Sequence, residues 1–169
     1  MIAQLALLPP LLFIIYEDFR DRAIHWYWIA LLLLISLLGF PWRVEWIGVN
    51  VLLVGFQMSV LSLYFSWKAG KWGNIINRYL GLGDLLFFLP LCVLFAPANF
   101  IFFFIFSLVL SLCSHLVLQY FLPQTKPTIP LAAYMAIALI AVLLGSYLFH
   151  FDPQNEYWIK HYLRTWGRS

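Results

Sequence analysis

Two aspartates stand where an acid is expensive to keep. Asp18 closes a long apolar run and Asp84 opens another, and a carboxylate in such surroundings loses hydration that only a partner or a wet cavity restores. Two carboxylates at one depth can divide general acid and general base work. One stays charged and activates water, while like-charge repulsion pushes its neighbour toward the neutral form, ready to protonate an oxyanion or a leaving amine. Peptide hydrolysis needs that pair of roles and no metal. By spacing alone, an acid at the end of an apolar run serves equally well as a topology or packing feature.

Each aspartate sits in a distinctive window. The first is EDFRDRAIH, where Glu17, Asp18 and Asp21 meet Arg20 and Arg22; the second is GLGD, residues 81–84. Gly81 and Gly83 permit close backbone approach or positive φ angles that other residues resist, so Asp84 can be brought tightly against another helix.

The elements that must position these acids are helices. Hydrophobic residues make up 64% of the chain and charged residues 10%, a composition that points to an integral membrane protein. Roughly 20 mostly apolar residues cross the hydrocarbon core, and about six stretches approach that length: 2–16, 26–40, 46–67, 84–98, 99–122 and 129–151. The expected fold is all-α, a compact bundle of about six transmembrane helices forming one domain over 1–151, followed by an amphipathic aromatic and basic interfacial tail at 152–169. The first run lacks a basic leader and a small-residue cleavage site, so it reads as a retained span rather than a secretory signal. Pro9 and Pro10 should bend or locally unwind it.

Charge bias suggests an orientation. With the N terminus outside, one face receives Arg20, Arg22, Lys68, Lys71, Arg78 and Lys126, and the other Arg43, Lys160, Arg164 and Arg168, six basic residues against four. Asp18 and Asp84 then share the cytoplasmic side. The net charge of +3 follows from this topology, and neither a nucleic-acid partner nor a cofactor is expected. Cys92 and Cys113 read as apolar fillers within spans, and the scattered histidines lack metal-ligand spacing. The polar stretch 68–83, with Asn74 and Asn77, reads either as a loop admitting water and substrate or as an ordinary connection.

In these windows the chain resembles the prepilin peptidase, or type IV leader peptidase, family of intramembrane aspartic proteases. That family's first motif sets an aspartate before polar or basic residues and Ile-Pro-Asn; Asp18 to Ile24 is similar through the isoleucine, with His25 and Trp26 in place of Pro-Asn. Gly81, Leu82, Gly83 and Asp84 resemble the core of its Gly-x-Gly-Asp-x-Lys motif, with Leu86 where the lysine is expected. Lys126, Ile129 and Pro130 resemble a basic residue and Ile-Pro element at the family's last conserved span. The likeness covers 2–151 and is to the short form, without the cysteine-bearing region associated with methylation.

The resemblance implies an aspartic endopeptidase of the bacterial inner membrane with Asp18 and Asp84 catalytic, supported by Gly81, Gly83, Lys126 and Pro130. Its substrates would be pilin-like precursors with a short basic leader, cut at the cytoplasmic face. Glu17 and Asp21 would attract the leader's basic residues, with local pairing to Arg20 and Arg22 as the plainer account. The runner-up is a catalytically impaired homologue that binds membrane helices as an assembly factor. A small proton-conducting transporter is a third class.

Overall fold

The computed structural model describes residues 2–69, 82–121, 130–149 and 151–156. Among them the chain is α-helical, with no strand: α1 (Ile2–Ala6), α2 (Leu8–Asp21), α3 (Trp26–Gly39), α4 (Val44–Ala69), α5 (Leu82–Leu94), α6 (Pro97–Phe121) and α7 (Leu131–Phe149). Prolines punctuate these elements. Pro9 and Pro10 fall in the first turn of α2, where a missing N–H leaves no bond unmade. The run expected as one bent span over 2–16 is therefore two helices broken at Leu7, whose amide turns back to the Gln4 carbonyl at 3.3 Å. Pro97 opens α6 and Pro130 immediately precedes α7. Pro90 lies inside α5 and leaves the carbonyl four residues earlier without its helical donor.

Packing converges on α7, which lies against α2, α5 and α6; α3 covers α2 and α5, and α4 lies against α5 and α6. Ala132, Ala133, Ala136 and Ala138 are fully buried on α7. Such small side chains let neighbouring helices approach closely, and Leu7, Leu11 and Ile14 of the N-terminal pair belong to the same buried core. On α5, Phe87, Phe88 and Leu91 do the same, with Phe88 meeting Phe104 of α6 at 5.5 Å between ring centroids.

The chain alternates between two ends of this bundle. One end gathers the C terminus of α2 and the N termini of α3, α5 and α7. At the other, Asn50 of α4 is fully buried and donates through Nδ2 to the carbonyls of Cys92 and Phe95 at 3.1 and 2.9 Å, closing the last turn of α5. Residues 151–156 are woven into this same end: Gln154 Nε2 donates to the Val93 carbonyl, Asn99 Nδ2 to the Pro153 carbonyl, and the Ala98 amide to Glu156 Oε1. Only the first five residues of the expected tail are described, and they pack against the bundle; 157–169 lie outside the described residues.

Among the described residues two helices are long and apolar enough to cross a membrane, Pro97–Ser114 and Leu131–Phe149; Trp26–Gly39, Val44–Val60 and Gly83–Leu94 are shorter apolar helices. Large apolar side chains cover the outside as well as the core, with Leu38 and Phe149 each 80% exposed and Leu52 74%.

Candidate active site

Both aspartates are the polar ends of apolar stripes. Leu7, Leu11, Ile14 and Asp18 recur at four- and three-residue spacing along one buried line, so helical geometry carries Asp18 inward with the leucines. It is only 6% exposed. Asp84 lies three and four residues before Phe87 and Phe88 on α5, and the same periodicity turns it toward the interior, where it is half-buried.

The two side chains meet at the N terminus of a third helix. The first turn of any helix has amides without intrahelical acceptors, usually satisfied by an N-cap side chain. Pro130 precedes α7; its carbonyl accepts from the Tyr134 amide at 3.3 Å, but its side chain can accept nothing. The acceptors come from elsewhere in the chain: the Ala132 amide donates to Asp84 Oδ1 at 3.2 Å, and the Ala133 amide to Asp18 Oδ2 at 2.7 Å. Adjacent amide nitrogens lie within about 4 Å of each other. With those bond lengths, the two carboxylate oxygens are held within about 10 Å across one helix end. The partial positive charge of that end favours anions.

Asp18 lies beyond the apolar run 2–16, and its charge state is contested. Burial pushes its carboxyl above the ordinary value; the Ala133 amide and the positive charge of Arg22 pull the other way without cancelling the rise. Asp18 is therefore more inclined than an ordinary aspartate to hold a proton.

Glycine joins the two windows. A Cβ built on Gly83 would lie 3.3 Å from Cβ and Cδ1 of Ile24, closer than the 3.5–4.0 Å optimum of carbon contacts. No positive φ is involved at Gly83. The absence of a side chain is what lets the start of α5 close on the loop after Asp18.

The remaining sequence candidates separate. Glu17 is occupied: its Oε2 accepts from the His25 amide at 3.0 Å, its Oε1 from Trp28 Nε1 at 3.0 Å, and His25 Nδ1 lies 2.9 Å from Oε1. Phe13 stacks on Trp28 at 4.2 Å. Glu17 thus fastens the start of α3 to α2, and its partners are His25 and Trp28 rather than the neighbouring arginines. Burial pushes the Glu17 carboxyl up, but the His25 amide and ring and the Trp28 indole outweigh it and leave it below the ordinary value. Asp21 is exposed, 3.8 Å from Arg20 Nε, while Arg20 also bonds the Tyr16 hydroxyl. Leu86, where a lysine is expected, packs against the apolar core. Gly81 and Lys126 lie outside the described residues, as does most of 68–83. Among the described residues no group of three side chains is arranged to hold a metal ion.

Sequence reasoning missed the Ala132 and Ala133 amides, which carry no side-chain signature, and Arg22, which was grouped with local salt pairing. The available signal was Pro130 followed by small residues, a helix start whose capping must come from another segment. Comparison with protein families, with curated proteins and with solved structures finds no match for this chain.

Proposed function

We propose that this chain is a prepilin-peptidase-like aspartic endopeptidase embedded in a membrane as a bundle of about six spans. The observation that carries the proposal is the convergence of Asp18 and Asp84 on consecutive amides of one helix N terminus. Membrane insertion is supported by the apolar exterior and by the two helices of spanning length. The charge bias favours acids facing the cytoplasm, and the resemblance in the two windows favours a bacterial inner membrane and pilin-like precursors as substrates.

In the proposed reaction Asp84, the more accessible acid, takes a proton from water as the oxygen attacks the scissile carbonyl. Asp18, more deeply buried and inclined to stay protonated, donates to the developing oxyanion. The pair then exchanges roles as the gem-diol collapses: the amine leaves with a proton and the carbonyl reforms. The α7 N terminus orients both carboxyls and stabilises whichever is ionised. The hydrophobic helix of a precursor would lie along the bundle, bringing its leader junction to the depth of the acids.

The second reading, a noncatalytic binder of membrane helices, draws on Leu86, which contributes no charge near the acids. Co-reconstitution with pilin-like precursors separates the two readings. Intact mass should reveal one leader-loss product with the parent and none with Asp18→Asn or Asp84→Asn. Intact precursor in every sample, with substrate bound, would favour the binding reading.

A further inference from the structure

Arg22 is the residue of the first window whose conformation the mechanism above does not use. It ends α2 with φ 55°, the left-handed region, and it is the one non-glycine residue with positive φ among the described residues. A residue with a Cβ rarely holds that conformation, and where it does the surrounding structure must enforce it. The reversal has a directional consequence. It stops α2 directly after Asp21.

The Arg22 side chain does not run out into solvent as those of Arg20 and Asp21 do. Its Nε and Nη1 are shut off from solvent, and its charge acts on both Asp18 and Tyr134. Tyr134 follows Ala133 on α7, and Phe19 meets it edge-to-face at 5.5 Å. Arg22 therefore belongs to the same junction of α2 and α7 that holds Asp18. Among the described residues the other charged groups around Asp18 have their own places. On its own helix Glu17 is taken by His25 and Trp28, while Arg20 and Asp21 pair at the surface with side chains 65% and 59% exposed. From α5 the facing group is Asp84, and from α7 the Tyr134 phenol and the Ala132 and Ala133 amides. Leu86 offers no charge. Among the described residues, Arg22 is the cation whose charge acts on this carboxyl.

We propose that Arg22 is a positioning residue of the acid pair: its left-handed backbone turns a guanidinium inward so that a fixed positive charge, supplied from the Asp18 window, governs which carboxyl of the pair holds the shared proton. The inference rests on the reading of Asp18 and Asp84 as a working pair. Arginine suits the task because it stays charged at every relevant pH and its planar fork holds its orientation. A neighbouring opposite charge favours the ionised carboxylate by about 1–3 pH units. Without it, burial keeps Asp18 protonated to higher pH, and Asp18 yields its proton to the oxyanion less readily.

The test reads the proton rather than the reaction. Purified full-length protein in detergent micelles is treated with a hydrophobic carbodiimide, which modifies protonated carboxyls, and labelling of Asp18 is followed by peptide mass across pH. The parent is compared with Arg22→Lys, Arg22→Gln and Arg22→Gly. Arg22→Gly removes the charge while relieving the left-handed backbone, so strain at this position does not bear on that variant. The expected result is an Asp18 labelling midpoint about one unit or more higher in both neutral variants, a tenfold change in its ionisation constant, with Arg22→Lys close to the parent. The Glu17 midpoint should be unchanged. Superimposed Asp18 curves, or equal shifts at Asp18 and Glu17, would overturn the proposal. If precursors are cleaved, the pH–rate profile should move with the labelling midpoint. A shift in labelling without cleavage in any variant would retain Arg22's role and reject the protease reading.

Discussion

Gly83 offers a graded perturbation of the site that leaves both carboxyls in place. In Gly83→Ala the new methyl would lie 3.3 Å from Ile24 Cβ and Cδ1 and 3.6 Å from Cγ1. The Cδ1 contact can yield by a rotamer change, but Cβ is tied to the backbone, so α5 or the loop must retreat by a few tenths of an ångström. Overpacking of this kind costs about 1–3 kcal/mol, and the better helix propensity of alanine returns up to about 1 kcal/mol. The expected net destabilisation is about 1–2 kcal/mol. Asp84 is the next residue and moves with the backbone. A misplacement of about 1 Å can cost a hundredfold in rate, so a few tenths should lower kcat severalfold with little change in KM. Thermal unfolding in micelles and precursor cleavage are then measured for Gly83→Ala, Ile24→Ala and the double variant. Trimming Ile24 gives the methyl room, and the cycle should return a favourable coupling of about 1 kcal/mol. Gly83→Ala as stable as the parent or more so, with zero coupling to Ile24, would refute close approach as the reason for this glycine.

Gly39 presents the harsher version, since a Cβ there would lie 2.5 Å from the Ala3 Cβ; Gly39→Ala should lower the melting temperature more than Gly83→Ala, whereas Gly48→Ala and Gly55→Ala, with nothing within 4 Å, should be neutral or stabilising. Asn50→Leu should cost about 2–3 kcal/mol through the Cys92 and Phe95 carbonyls it leaves unpaired, and Asn50→Asp should cost more, because a carboxylate would face two carbonyl oxygens; unfolding of the two variants checks the order. The Glu17 carboxyl is held below its ordinary value, so its contribution to stability is complete above the unfolded carboxylate value of about 4.3 and is lost as pH falls through the depressed native value. The gap in melting temperature between parent and Glu17→Gln should therefore be largest near neutral pH and close on acidification.

The two acids were legible because an aspartate beside a long apolar run is conspicuous, and periodicity extends further than composition. Asp18 continues the line of Leu11 and Ile14, and Asp84 the line of Phe87 and Leu91, so inward orientation could have been read from the spacing. Their meeting place could not. The groups that hold them are the backbone amides of Ala132 and Ala133, which any residue but proline would present, and 48 and 115 residues of sequence separate the bonded partners. Glu17 escaped for a related reason. Its neighbours in sequence are arginines, but the reversal at Arg22 brings back His25 and Trp28, eight and eleven residues on. The helical character of the chain followed directly from its apolar runs, while the break at Leu7 depended on Pro9 and Pro10 serving as a helix start rather than as a kink.

If Asp18 and Asp84 together activate water against a peptide bond, oxygen-isotope transfer reads it out. Precursor cleavage is run in water enriched in oxygen-18 with the parent, Asp18→Asn and Asp84→Asn, each first shown by circular dichroism to retain its helical content. One labelled oxygen is expected in the new carboxyl terminus of the leader released by the parent, and no leader from either variant. Labelled leader released by a variant lacking either acid, at a rate near the parent's, would contradict that joint role.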